Sequence, residues 1–249
     1  LRARLERDRD LGFTPVLVCA TVGTTSTTAV DPLAALGPIC RDHDVWLHVD
    51  AAYAGVTGIV PELRSLQAGV EWADSYTTDA HKWLLTGFDA TLFWVADRAS
   101  LTGALAILPE YLRNAATDAG AVVDYRDWQI ELGRRFRALK LWFVLRHYGA
   151  EGLRHHLARH VELAQGISAR IDGDPRFELV APTQLTLVCF RHVDGDEATA
   201  KSTWVFVTRG GRSGRVALAP PAAGLSLLWG QASKMVGEAW ALGFICLSS

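Results

Sequence analysis

Short apolar, β-rich runs recur through the first hundred residues, and their spacing constrains the fold more than any other feature. Residues 16–22 (VLVCATV), 45–49, 73–78 and 90–95 (ATLFWV) are each of strand length, with helical or loop segments between them. Runs this short, bounded by Gly, Pro and polar clusters, read as strands, and connectors of this length let neighbouring strands run parallel. The pattern predicts an α/β domain built on a mainly parallel sheet. In such sheets ligands bind beyond the carboxyl ends of the strands. Thr24-Thr25 follow the first run, Asp50 ends the second and His81-Lys82 follow the third, so a single site is expected there.

Local signals divide the rest. Asp31-Pro32 predicts a helix start, with a capping Asp and Pro at the first helical position. That helix is expected to kink or stop at Gly37-Pro38. Residues 100–125 show no sustained helical period and predict a loop, long enough to be functional. Residues 134–147 predict a basic amphipathic helix, and Leu153, Leu157, Val161, Ala164, Ile167 and Ile171 form a 3.6-period stripe. Asp174-Pro175 ends that helix and residues 185–190 (LTLVCF) predict another strand. Two domains are therefore expected: residues 1–150, and a smaller α+β domain over 151–249 that becomes irregular after about 200. The Gly- and Arg-rich stretch from Arg209 to Arg215 reads as a flexible loop.

Composition narrows the function classes. The formal net charge is −2 with 21% charged residues, which argues against a nucleic-acid or anionic-membrane partner. No apolar run approaches the ~20 residues of a membrane helix, and the charged opening Leu1-Arg2-Ala3-Arg4 is unlike a signal peptide. The four cysteines are scattered, which suits a reduced, cytoplasmic protein. Cys19 and Cys189 lie in apolar runs and read as small buried thiols. No metal site is expected: His156 and His160 stand at i, i+4, but Arg154, Arg159 and Glu162 around them indicate a solvated face.

One ordered series says more. ATVGTT (20–25), GPIC (37–40), WLHVDAAYAG (46–55), ADS (73–75), HKWLL (81–85), DYRDWQI (124–130) and LGRRFRAL (132–139) follow one another between about residues 11 and 194. Together they resemble the pyridoxal-dependent group II amino-acid decarboxylases, most closely the aromatic-L-amino-acid decarboxylase branch. The resemblance implies the PLP-dependent transferase fold (aspartate-aminotransferase-like, type I), with residues 1–150 as the C-terminal part of the large cofactor-binding domain. It implies pyridoxal 5'-phosphate as cofactor and a homodimer for the full-length enzyme. The implied reaction is decarboxylation of an aromatic L-amino acid (DOPA, tyrosine, tryptophan or phenylalanine type) to the amine and CO2. A glutamate or histidine substrate remains an alternative, as does a non-catalytic remnant.

The same resemblance implies residue roles. Lys82 would hold the cofactor as a Schiff base, and Asp50 would pair with the pyridinium nitrogen, keeping the ring an electron sink. Ala52 would pack against one ring face. Thr25 and His81 would lie beside the cofactor, with His81 near the phosphate. Asp79 stands where the family commonly has an Asn that helps bind the phosphate; a carboxylate there is electrostatically unfavourable. Tyr111 aligns with a catalytic-loop tyrosine that supplies a proton, where aldehyde-forming relatives tend to carry Phe. Gly133 matches the aromatic branch, where histidine-selective relatives tend to carry Ser. The family's N-terminal phosphate cradle and its cofactor-stacking His have no counterpart in these 249 residues, and the match turns ragged after Ala200, so a fragment is expected.

Overall fold

The computed structural model describes residues 1–105, 123, 125–131 and 133–195, together with the backbone of three later strands. The four apolar runs form one sheet, hydrogen-bonded in chain order: β1 (Leu17–Thr21), β2 (Trp46–Asp50), β3 (Ser75–Asp79) and β4 (Thr91–Val95). β1, β2 and β3 run parallel, and β4 turns back antiparallel to β3. The sheet is thus mixed, with a parallel body and an antiparallel edge.

Strand alternation sorts the side chains onto two faces. Val18, Ala20, Leu47 and Val49 share one face, and Leu47 and Val49 are fully buried there. The opposite face carries Cys19 beside His48 beside Ser75, then Thr21 beside Asp50 beside Thr77. Asp79 and Thr91 follow on the same face across the β3–β4 pair. Cys19 is exposed, not buried as its apolar neighbours suggest, because alternation turns it onto this open polar face. Phe93 and Trp94 of β4 and Leu17 of β1 are about half exposed, so both sheet edges carry uncovered apolar surface.

The first crossover helix departs from expectation. α1 (Arg2–Asp10) precedes β1, and α2 (Leu33–Asp42) follows it, with Pro32 at the cap position and no side-chain cap. The Asp31 carboxylate instead accepts the Thr21 amide at 2.7 Å, pinning the chain to the end of β1. α2 also continues past Pro38, where a kink or stop was expected. Tertiary packing overrides the break: a Cβ on Gly37 would lie 2.3 Å from the Trp72 Cβ, so the glycine allows residues 70–72 to lie directly against the helix. Leu33 and Cys40 are buried on that helix.

Three short 3-10 turns (Ala54–Ile59, Pro61–Gln67, Val70–Trp72) link β2 to β3, and the one-turn helix α3 (Ala80–Trp83) leaves β3. Residues 98–105 are helical, correcting the loop expected from residue 100. The Asp97 carboxylate caps this helix, α4 (Arg98–Leu105), by accepting the Ala99 and Ser100 amides at 3.0 and 2.9 Å. The basic helix expected from residue 134 begins at Ala138, and it continues as one long element, α5 (Ala138–Asp172), broken at Gly149. Arg135 and Arg137, ahead of it, are drawn to Asp89 at 3.2 and 2.8 Å. No helix among the described residues is long and apolar enough to cross a membrane.

The chain divides into two compact units, residues 1–24 with 29–153, and residues 25–28 with 154–249. In the second, the predicted stripe is inward: Leu157, Ala164 and Ile171 are buried. Ala164 and Ile171 join Val188 and Phe190 in one core, with Ile167, Phe177 and Leu179 packed on it. The sheet here is β5 (Phe177–Leu179), β6 (Val188–His192) and β9 (Ile245–Leu247). Beyond residue 200, β7 (Trp204–Arg209) and β8 (Arg212–Ala217) pair antiparallel up to Arg209 opposite Arg212, so Arg209 and residues 212–215 of the expected loop are strand, while Gly210 and Gly211 lie outside the described residues.

Candidate cofactor site

Asp50 is the last residue of β2, and its backbone is held from both sides. Its carbonyl accepts the Val22 amide at 2.9 Å, and the next amide, Ala51, donates to the Thr77 carbonyl at 2.9 Å. The carboxylate accepts the Ala52 amide through Oδ1 at 3.0 Å, leaving Oδ2 without a hydrogen-bond partner among the described residues. Ala52 in turn accepts the Asp79 amide at 2.9 Å, so the ends of β2 and β3 are laced together. Lys82 follows one turn later on α3. Asp50 and Lys82 therefore stand at the carboxyl ends of adjacent parallel strands, as the sequence indicated.

The Lys82 side chain is 36% exposed and its Nζ lies 2.9 Å from Asp79 Oδ2. The other Asp79 oxygen accepts the Thr91 hydroxyl at 2.6 Å, across the β3–β4 register. His81 Nε2 lies 3.8 Å from Asp79 Oδ2, and its Nδ1 is engaged with the Ala90 backbone at 3.1 Å. Burial alone raises the Asp79 carboxyl, but the Thr91 hydroxyl and the Lys82 ammonium outweigh it and hold the group below its ordinary value, with His81 adding to them. Thr91 was not singled out from sequence. Only the antiparallel register opposite Asp79 reveals it.

A further polar row lies behind Asp50 on the same face. The Ser75 hydroxyl accepts the Trp46 indole N–H at 2.8 Å and lies 2.8 Å from His48 Nδ1. The indole can only donate, so the hydroxyl proton is free to point at His48 Nδ1, which then acts as acceptor. Partial burial, and then the Asp50 carboxylate, push the Cys19 thiol up.

Thr25 belongs to the second compact unit, in the segment 25–28 where the Ser26 carbonyl meets Cys189 Sγ at 3.3 Å. Tyr111 lies outside the described residues. Gly133 lies outside helix and strand, with open space where a side chain would begin. The His155, His156 and His160 rings neighbour one another, and burial, then His156, push the His160 imidazole down. Among the described residues no cluster of three metal-ligating side chains forms.

A mixed α/β sheet that gathers an amine, a carboxylate and an imidazole at the carboxyl ends of its parallel strands defines an α/β domain with its candidate ligand site there. The model of the pyridoxal-dependent decarboxylase conserved domain matches residues 1–193. The chain belongs to that pyridoxal-dependent family. It is 54% identical over 193 residues to the phenylacetaldehyde synthase of Arabidopsis thaliana, a match covering 78% of this chain and 39% of the relative. It is 50% identical over 191 residues to the aromatic-L-amino-acid decarboxylase of Cavia porcellus, covering 77% of this chain and 40% of the relative. The crystal structure of Oryza sativa TDC with PLP and tryptamine superposes with a TM-score of 0.77 at 42% identity, over 85% of this chain and 48% of that one. The chain thus spans about two fifths of the length of these curated relatives.

The residues present fit the family's cofactor. Lys82 offers a part-exposed amine, Asp50 a strand-end carboxylate whose Oδ2 has no hydrogen-bond partner among the described residues, and Ala52 a small side chain beside it. Asp79 is the exception in chemistry, being anionic and already engaged by Lys82 and Thr91.

Proposed function

We propose that this chain is the lysine-bearing part of a pyridoxal-phosphate-dependent decarboxylase that converts an aromatic L-amino acid to its amine and CO2. The observation that carries the reading is the placement of Lys82 and Asp50 at the carboxyl ends of adjoining strands in a member of this family. Pyridoxal phosphate, when bound, supplies the electron sink. In this reading Lys82 attaches it, Asp50 faces its ring nitrogen, and Ala52, Thr25 and His81 line it. Tyr111 delivers a proton to the reacting carbon. Aromatic substrates are supported by the names of the relatives and by Gly133. The full-length protein is read as a cytoplasmic homodimer, its compartment supported by scattered cysteines with no Cys-x-x-Cys pair.

A second reading has a specific observation behind it: the Arabidopsis thaliana relative is named for an aldehyde product. Tyr111, in place of the Phe that aldehyde-forming relatives tend to carry, favours the amine. A third, a non-catalytic remnant, is favoured by the uncovered apolar sheet edges.

Two assays separate these readings. The full-length protein, given DOPA, tyrosine, tryptophan, phenylalanine, glutamate and histidine, should release CO2 and amine from the aromatic acids alone. Aldehyde in place of amine would overturn the first reading. The 249-residue chain mixed with pyridoxal phosphate should absorb near ~420 nm and, after borohydride, carry the pyridoxyl mass on Lys82. Lys82→Ala should abolish both signals, and their survival would overturn the assignment of Lys82.

A further inference from the structure

We propose that Asp79 is a positioning residue for Lys82: fixed by Thr91, its carboxylate clamps the lysine ammonium at the strand end and withholds the amine from electrophiles until the clamp opens. The inference rests on the functional reading only for the importance of Lys82; the clamp itself is read from the geometry.

Three observations converge. First, Lys82 Nζ lies 2.9 Å from Asp79 Oδ2, an i, i+3 pair across the start of a one-turn helix. Second, the carboxylate cannot turn away freely. The Thr91 hydroxyl holds its other oxygen at 2.6 Å from the adjacent strand, and the Asp79 amide is tied to Ala52. Third, Asp79 is only 13% exposed, so water competes weakly for it, and its carboxyl is held below the ordinary range. Of the charged and titratable groups, His81 on α3 lies 3.8 Å from the Asp79 carboxylate, and Asp50 ends the neighbouring strand β2 at the same end of the sheet. From β4 comes the neutral Thr91 hydroxyl.

The chemistry follows. A lysine at neutral pH is an ammonium with no lone pair to offer. To attack a carbonyl carbon it must give up a proton and leave the carboxylate. An Asn at this position would offer Lys82 a neutral amide oxygen and no opposing charge. Aspartate therefore makes this lysine slower to react and more fixed in place.

The test needs no cofactor. The full chain is labelled with trace acetic anhydride at pH 7, and acetylation is quantified at Lys82 and at Lys140, whose amine lies a looser 3.8 Å from Asp89. Acetylation consumes the free amine: an N–C bond forms, acetate leaves, and the displaced proton goes to solvent. Asp79→Asn should raise the Lys82 rate roughly 3- to 10-fold, the range between a weak and a charge-assisted ion pair, with Lys140 unchanged. An unchanged Lys82 rate overturns the clamp. Unfolding reveals itself by raising Lys140 as well; Thr91→Val, which keeps both charges, then decides. A rise at Lys82 alone in Thr91→Val supports the clamp, and no rise overturns it. Failure to trap pyridoxal phosphate on Lys82 would count against the functional reading and leave this result standing.

Discussion

The Trp83 indole lies flat against the Tyr53 phenol, ring centroids 5.1 Å apart and planes 11° from parallel. Both rings are more than nine-tenths buried. Trp83 directly follows Lys82, and Tyr53 stands three residues beyond Asp50. The stack therefore joins the segment leaving the acidic strand end to the helix that carries the amine, and fixes the two groups on one rigid base.

Trp83→Ala should cost about 3–5 kcal/mol, the usual penalty for emptying a large aromatic site. Of this, about 0.5–1.5 kcal/mol belongs to the ring pair itself. Trp83→Phe should lose much less. Urea denaturation followed by far-ultraviolet circular dichroism measures both, and an Ala variant as stable as the parent would remove the stack from the account.

Gly69→Ala tests the close approach of the 70–72 turn to α2. Gly69 has φ +95°, and an added Cβ would meet the Ala34 backbone nitrogen at 2.2 Å, which cannot give way as a side-chain tip could. Gly12 has φ +85° but open space around it. The strain of a left-handed residue alone costs about 1–2 kcal/mol, so Gly12→Ala should lose that much. Gly69→Ala should lose a further ~1–3 kcal/mol for overpacking. Equal losses in a paired thermal melt would refute the contact.

Much of this was legible in the chain itself. All four strands of the first sheet, the Asp50 and Lys82 placements and the Leu157–Ala164–Ile171 stripe follow from periodicity and strand-end logic. What escaped was set by distant partners. Pro38 stays inside a helix because Gly37 packs on Trp72, thirty-five residues away in sequence. Asp31 reads as a cap but serves the Thr21 amide. α4 has little amphipathic pattern, and its signal was the Asp97 cap, weaker on the page than the missing period. Thr91 becomes visible only once the β3–β4 register is known.

Acid should loosen the segment before α5. The Arg137 guanidinium, first of all, holds the Asp89 carboxyl down at about 2, with Arg135 adding to it. A carboxyl depressed on folding contributes stability above its unfolded value of about 3.9. That contribution is lost as pH falls from about 4 towards about 2. Asp89→Asn should flatten the thermal midpoint against pH across this window and leave it parallel to the parent above pH ~5. Identical slopes would mean that the Asp89 cluster carries no linkage.

Tyr76 gives the matching test at high pH. Its hydroxyl donates to Gln67 Oε1 at 2.7 Å, and the Gln67 amide in turn donates to the Gly55 carbonyl at 2.9 Å and to Thr57 Oγ1 at 3.1 Å. The chain of bonds ties β3 to the turns that follow Asp50. Burial pushes the Tyr76 phenol up to about 12. A phenol raised on folding contributes stability that is complete below its unfolded value of about 10. It is lost as pH rises from there through about 12. In an ultraviolet titration one of the five tyrosines should ionise about two units later than free phenol, and Tyr76→Phe should delete that step. The Phe variant should also lose about 1–3 kcal/mol at neutral pH, because Gln67 Oε1 is left facing a ring without a donor. If the late step survives in Tyr76→Phe, it belongs to another tyrosine, and the Tyr76–Gln67–Gly55 chain is not what holds these turns to the sheet.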